Sequence, residues 1–330
     1  MEPFASFTPT ISDKTKIEYE QCYERNRKRF MSDLGKPDMA PDEVVAHLIL
    51  TRTEYAARTW RFYKSSAIYY LETYHPQHET AIDELKRHGS GDLRNGGSNT
   101  SGRKRKDVPD SVWREIKYAI QERIKQQYKH AATLLAVLEG TLLTGLRPNE
   151  WAFSELGQHE TDGRRILRVR NSKNTNGRGN GTHREMYVDE LEAREIEVIA
   201  RALAACKSET AEEATRLQLA LKHELEAARA LAVAGKRRAR SSVTLYSFRH
   251  QFVANAKLTF ENPVITAALS GHSSTKTAHQ HYGKRRNGRA MVRVYPTESS
   301  VAAVQNRYLE TYRDFVTRRG ANLPPSPSSH

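Results

Sequence analysis

The stretch TLYSFRHQF (residues 244–252), followed by LSGHSSTKTAHQHYG (269–283), decides how this chain is read. The first places Arg249 and His250 within an apolar helix, where charge is tolerated only with partners. The second carries His272 beside a glycine and then, ten residues on, Tyr282. Singly, each residue has an ordinary explanation. Arg249 and His250 read as a buried polar pair, and Tyr282 as a surface or interface aromatic.

Two motifs lie upstream. TGLRPNEW (144–151) follows a helical run through Leu134, Leu135, Leu138 and Leu142, with Gly145 as its C-terminal stop and Arg147 and Glu150 just beyond. Alone, Arg147 is a helix-end charge and Glu150 the partner of a nearby cation. RVRNSKNTNGRG (168–179) lies between two short β-like runs, 166–170 and 185–188, and reads as a hairpin with a basic, glycine-rich tip. Lys173 in that tip is by itself a solvated loop charge, and Arg178 and Arg184 are further candidate phosphate contacts.

Together these residues suit attack on a phosphodiester. Two arginines, Arg147 and Arg249, can hold both non-bridging oxygens in planar forks while staying ionised. Lys173, its pKa lowered by neighbouring arginines, can protonate the leaving alkoxide. His272 can orient a phosphate oxygen or accept the proton of Tyr282, the nucleophile, and the covalent phosphotyrosine stores the bond energy, so neither ATP nor metal is needed. Glu150 reads as an orienter of Arg147 or Arg249, and His250 as a support behind the site.

The set resembles the catalytic domain of the tyrosine recombinases, the phage-integrase family. In the family pattern, an arginine after a T-G-L turn is followed by a hairpin lysine, H-x-x-R-H, L-G-H and a nucleophilic tyrosine. Arg147, Lys173, Arg249, His272 and Tyr282 match it in order, at separations of 26, 76, 23 and 10 residues. Two positions depart: Tyr246 stands where the family usually has histidine, and Ser270 precedes the L-G-H glycine. A phenol still donates to a phosphate oxygen but is a poor proton shuttle at neutral pH.

The resemblance covers about 101–296. It implies a mainly α fold with a small antiparallel β-sheet, built as a two-domain clamp around duplex DNA: a helical core-binding domain over 1–100 and an α+β catalytic domain over 101–296. It also implies site-specific recombination through a 3′-phosphotyrosine and a Holliday junction, carried out by a tetramer on double-stranded DNA bearing its recombination site. The task would be integration, excision or resolution of a mobile element or replicon, with room for an accessory DNA-bending or directionality protein. Residues 297–330 are then a candidate for exchange in trans, with Val301, Val304, Tyr308, Tyr312 and Phe315 forming one apolar face of a helix near 299–317. Two alternatives stand beside this: a DNA-binding factor of the same fold with an impaired site, and a type IB topoisomerase-like enzyme acting as a monomer.

The rest of the chain agrees with a nucleic-acid partner. It has 330 residues, enough for two domains, with 53 Lys plus Arg against 39 Asp plus Glu, a formal net charge of +14 and a pI near 9.7. Helical spacing recurs over about 14–34, 42–51, 57–74 and 77–87, then from Pro109 through Ile124, and as one stretch from Glu190 to about Ala234. In the 57–74 segment, Arg58, Arg61 and Lys64 lie off the apolar face and are candidate DNA contacts, or simply a solvated helix surface. A glycine-rich linker, 88–106, ends in Arg103, Lys104, Arg105 and Lys106, four further candidates.

A mean hydropathy of −0.74 and the lack of any long apolar window argue against a membrane span. The start, MEPFASFTPT, lacks signal-peptide character. Cys22 and Cys206 are too few for a disulfide framework, which suggests a reducing cytoplasm and association with the nucleoid. His272, His279 and His281 lack the further ligand a metal site needs, no P-loop or G-x-S-x-G motif is present, and no cofactor is expected.

Overall fold

The structure, a computed structural model, describes residues 11, 13–94, 105–172, 181–232, 243–275 and 282–304. The chain divides into two compact units, Met1–Gly102 and Arg103–His330.

The first unit is built from α1 (Asp13–Leu34), α2 (Pro41–Leu50), α3 (Ala57–Tyr74) and α4 (Glu79–Arg87). Helix α1 turns Cys22, Tyr23, Asn26 and Phe30 inward at helical spacing and packs on α3, where Trp60, Ala67 and Leu71 are buried. The Tyr23 and Tyr70 rings stack across that contact with centroids 4.0 Å apart. Helix α2 starts at Pro41, whose missing N–H costs nothing there, and Glu43 Oε2 accepts from the Ala40 amide at 2.9 Å.

In the second unit, α5 (Asp110–Lys125) and α6 (Ala131–Thr144) precede a short 3₁₀ turn and a four-stranded antiparallel sheet of order β1-β2-β3-β4. The strands are β1 (Ser154–Gln158), β2 (Arg165–Arg170), β3 (His183–Tyr187) and β4 (Tyr295–Pro296). Ser154 pairs with Val169 and Gln158 with Arg165; Ile166 pairs with Tyr187 and Arg170 with His183; Tyr187 pairs with Tyr295. The β2–β3 hairpin starts and ends near the expected runs, whereas β1 has no counterpart in the sequence reading.

The stretch expected as one helix from Glu190 to Ala234 is two, α7 (Ala193–Cys206) and α8 (Ala211–Ala232). The break is chemically specified: Thr210 Oγ1 accepts from the Glu213 amide at 3.2 Å, and Glu213 Oε2 accepts from the Glu209 amide at 3.1 Å. Helices α5 and α8 meet around a buried pair in which Arg123 donates to both oxygens of Glu224 at 2.5 and 3.0 Å.

Helix α6 is the hub, burying Leu134, Val137, Leu138, Gly140 and Thr144 on several sides. Helix α9 (Leu245–Thr259) packs on it with Phe248, Phe252, Val253 and Ala256 fully enclosed, and α10 (Pro263–Leu269) follows. A last helical stretch, described over 298–304, sets Val301 and Val304 against Ala267 and Ala268 of α10 in the same chain. The rest of the expected terminal helix, with Tyr308, Tyr312 and Phe315, lies outside the described residues. Among the described residues no helix is long and apolar enough to cross a membrane.

Candidate active site

Four segments of the second unit converge on one buried point: the turn after α6, helix α9, the turn after α10, and the base of the β2–β3 hairpin. The turn after α6 depends on Gly145, which adopts φ +68 and whose amide donates to the Thr141 carbonyl at 2.9 Å. A Cβ there would lie 2.1 Å from a ring carbon of Phe252, so the glycine also lets α9 close on the end of α6. Arg147 and Glu150 follow at once.

Glu150 is the centre of the network and has no exposed surface. Its Oε1 accepts from Arg147 Nη1 at 2.5 Å, and its Oε2 accepts from the Arg147 amide and from Arg184 Nη2, both at 2.8 Å. Arg249 Nη1 lies 3.8 Å from the same Oε2. Three guanidiniums thus share one carboxylate. Burial alone would raise the Glu150 pKa, yet Arg184, Arg147 and Arg249 together hold it well below the usual carboxylate range.

The turn after α10 ties the arginines together. The Ser270 carbonyl accepts from Arg249 Nη2 at 2.5 Å and from Arg147 Nη2 at 3.3 Å, while Arg249 Nη1 donates to the Gly145 carbonyl at 2.5 Å. His272 is 2% exposed, with Nε2 3.4 Å from Arg249 Nη2. Guanidinium can only donate, so that nitrogen accepts and the ring proton sits on Nδ1. Burial, then the charges of Arg249, Arg147 and Arg184, keep the His272 pKa well below its ordinary value, so the ring is neutral.

Three N–H donors at this point are left over. Arg147 Nε, Arg249 Nε and His272 Nδ1 are all buried and have no hydrogen-bond partner among the described residues. Unpaired buried donors and uncompensated positive charge are both costly, and an anion removes both costs together.

Tyr282 lies over this cluster. Its ring centroid is 4.7 Å from that of His272, 4.8 Å from that of His250 and 5.3 Å from the Arg249 guanidinium carbon. Tyr246, on the first turn of α9, is partly buried, and burial raises its phenol pKa against the opposing pull of Arg249. His250 is pushed down to about 4 by burial and by Arg249, Lys106 and Lys257.

The structure therefore brings Arg147, Glu150, Tyr246, Arg249, His250, His272 and Tyr282 together. Lys173, Arg178, Arg103 and Lys104, as well as His279 and His281, lie outside the described residues.

One expected DNA contact requires correction. Arg184 is not on the hairpin surface but 1% exposed inside the network, because Glu150 and two other acceptors draw it in. Lys64 is half-buried and donates to the carbonyls of Lys86 and His88 at 3.0 and 2.9 Å, at the C-terminal end of α4. Arg58 is exposed, while Arg61, Arg105 and Lys106 are half-buried, with Arg61 3.4 Å from Ser90 Oγ and Arg105 3.4 Å from an Asp107 carboxylate oxygen.

Sequence reasoning missed Asn171, whose Oδ1 takes a hydrogen bond from Arg184 Nη1, and Ser172, whose amide and hydroxyl both lie 3.4 Å from Glu150 Oε1. The signal available was their place at the start of the tip, next to Lys173. Among the described residues no group of three His, Cys, Asp or Glu could hold a metal ion.

No family model matches the sequence, and no curated protein matches it. Among solved structures, the chain is similar in fold to lambda integrase residues 75–356, crystallised as a dimer bound to a COC′ core site. That likeness covers 86% of this chain and 93% of the other, at 16% sequence identity and a TM-score of 0.49.

Proposed function

We propose that this chain breaks and rejoins DNA through a covalent 3′-phosphotyrosine formed at Tyr282, as a site-specific recombinase. The observation that carries the reading is the set of three donors on Arg147, Arg249 and His272 that are buried and unpartnered among the described residues, with two positive charges there uncompensated and the Tyr282 ring 4.7 Å from the His272 ring and 5.3 Å from the Arg249 guanidinium carbon. A phosphodiester supplies acceptor oxygens and negative charge together, and its transition state supplies more of both.

In this mechanism the two arginine forks take the non-bridging oxygens, and neutral His272 donates from Nδ1. Tyr246 donates a further hydrogen bond, since its raised pKa keeps the phenol protonated. Tyr282 attacks phosphorus, and the bond to the 5′ oxygen breaks. Lys173 gives its proton to that oxygen, and the reverse of these steps rejoins the strand. Recombination of two sites requires four protomers, each supplying one such site.

The test starts without a defined target. A duplex selected from a random-sequence pool by binding to the full chain is nicked beside the cleavage point, so that cleavage traps the intermediate. In EDTA the wild type becomes covalently linked to the 3′ end, and peptide mapping places the link on Tyr282. Tyr282→Phe binds the duplex without linking. Linkage undiminished in that variant removes Tyr282 as nucleophile and the reading with it.

A further inference from the structure

Among the described residues, Arg184 is the guanidinium of the network with no nitrogen left unpartnered. Whereas Arg147 and Arg249 each keep Nε unpartnered, Arg184 has an acceptor on all three nitrogens. Its Nε donates to the Leu269 carbonyl at 3.0 Å, its Nη1 to Asn171 Oδ1, and its Nη2 to Glu150 Oε2 at 2.8 Å. We infer that Arg184 is a positioning residue for phosphate binding, which occupies Glu150 so that the carboxylate does not close onto Arg249. The inference rests on the reading of the site given above.

The distances give the reason. Oε2 of Glu150 is bonded to Arg184 but lies only 3.8 Å from Arg249 Nη1, just beyond a hydrogen bond. Without Arg184, that oxygen keeps the Arg147 amide, and since Arg147 Nη1 is engaged with Oε1, Arg249 at 3.8 Å is the cation not yet hydrogen-bonded to the carboxylate that it can close onto. A carboxylate paired to Arg249 competes with phosphate for the same fork.

The other two bonds of Arg184 act on the same geometry. Leu269 precedes Ser270, whose carbonyl aligns both Arg147 and Arg249, so Arg184 fixes the turn that sets their angle. Asn171 Nδ2 donates to the Gly181 carbonyl at 2.9 Å, which closes the base of the β2–β3 hairpin. Gly271, at φ +59, makes room for all this: a Cβ there would lie 2.6 Å from Asn171 Oδ1 and 2.8 Å from Arg184 Nη1.

The experiment is a pair of substitutions in two backgrounds. Arg184→Met and Arg184→Lys are each made in the wild type and in Glu150→Gln, and single-turnover linkage is measured at saturating duplex beside the equilibrium Kd. With the carboxylate present, Arg184→Met slows linkage by about 10- to 100-fold at full final amplitude, with Kd within about threefold, because a charged hydrogen bond at the reacting site has been lost. Lys, which keeps the charge but not the fork, falls between.

In the Glu150→Gln background the same substitution costs less than about fivefold, since no carboxylate remains to be kept off Arg249. Equal losses in both backgrounds would show that Arg184 only holds the scaffold, and an Arg184→Met rate within twofold of wild type would show that it does nothing; either overturns the inference. If the Met variant does not fold, the Lys variant carries the same comparison. A wild type that forms no link defeats the preceding reading, and this one with it, whereas a wild type that links while the variants behave additively defeats this one alone.

Discussion

The two compact units treat positive charge in opposite ways. In the N-terminal unit the tethered cations have acceptors of their own: Arg27 with Asp38, Lys36 with Glu43, Arg52 with Asp92, Lys64 with two carbonyls. In the second unit, Arg147, Arg184 and Arg249 share Glu150 where water is excluded. The basic excess lies in the second unit alone: residues 1–102 hold 14 Lys plus Arg against 15 Asp plus Glu, and residues 103–330 hold 39 against 24; among the described residues it is also the second unit that buries charge in excess of its counter-charge. An excess of basic residues thus becomes informative about a ligand where burial stops solvent from screening it.

The sharpest way to break the comparison is to remove one guanidinium from the shared site. Arg249→Met, which takes away both the charge and the unpartnered Nε, should slow single-turnover linkage by about 10²- to 10³-fold, the usual cost of one transition-state donor. A loss under tenfold would mean that the buried charge serves the fold and not the phosphate.

A smaller effect is expected at Tyr246, which lies beside Arg249 but carries no charge. If its phenol donates to a phosphate oxygen, Tyr246→Phe should slow cleavage by about one to two orders of magnitude. Tyr246→His should restore much of the rate and add a pH dependence near 6.5. If the ring only packs, Phe will be nearly silent and His harmful, and rates at pH 6 and pH 8 separate the two.

The smallest effect belongs to the paired cations. Arg52→Ala removes an ion pair with Asp92, which is 64% exposed, and should leave the linkage rate at saturating duplex within about twofold of wild type. A tenfold drop would erase the distinction between the two units.

Much of this architecture is legible in the sequence because local signals and burial agree. The helices of the first unit fall near 14–34, 42–51, 57–74 and 77–87, since apolar spacing and Pro41 mark them directly. Strand β1 is not legible: SELGQ contains a single large apolar residue, and the segment is extended because β2 offers it a ladder. The break at 207–210 was readable, as Thr210 and Glu213 form a capping signature, but the continuous Ala/Glu/Leu composition hides it.

At the site, motif spacing brings Arg147, Arg249, His272 and Tyr282 to attention together. Arg184 escapes because an arginine beside a polar, glycine-rich tip carries every mark of a solvated residue. Its burial follows from acceptors 13, 34 and 85 residues away in the chain, Asn171, Glu150 and Leu269. The acceptors of Lys64 escape for a similar reason, since they belong to the end of another helix.

The glycines at 145 and 271 carry a practical consequence for mutagenesis of this chain. At both, the smallest side chain would collide with a neighbouring residue's side chain as well as meet an unfavourable φ. Directed evolution that randomises the exposed face of α3 explores a permissive surface. The same diversification spread over 145–150 or 269–272 should return mostly clones in which the buried network no longer closes, so a library confined to the N-terminal unit should keep far more of its members folded.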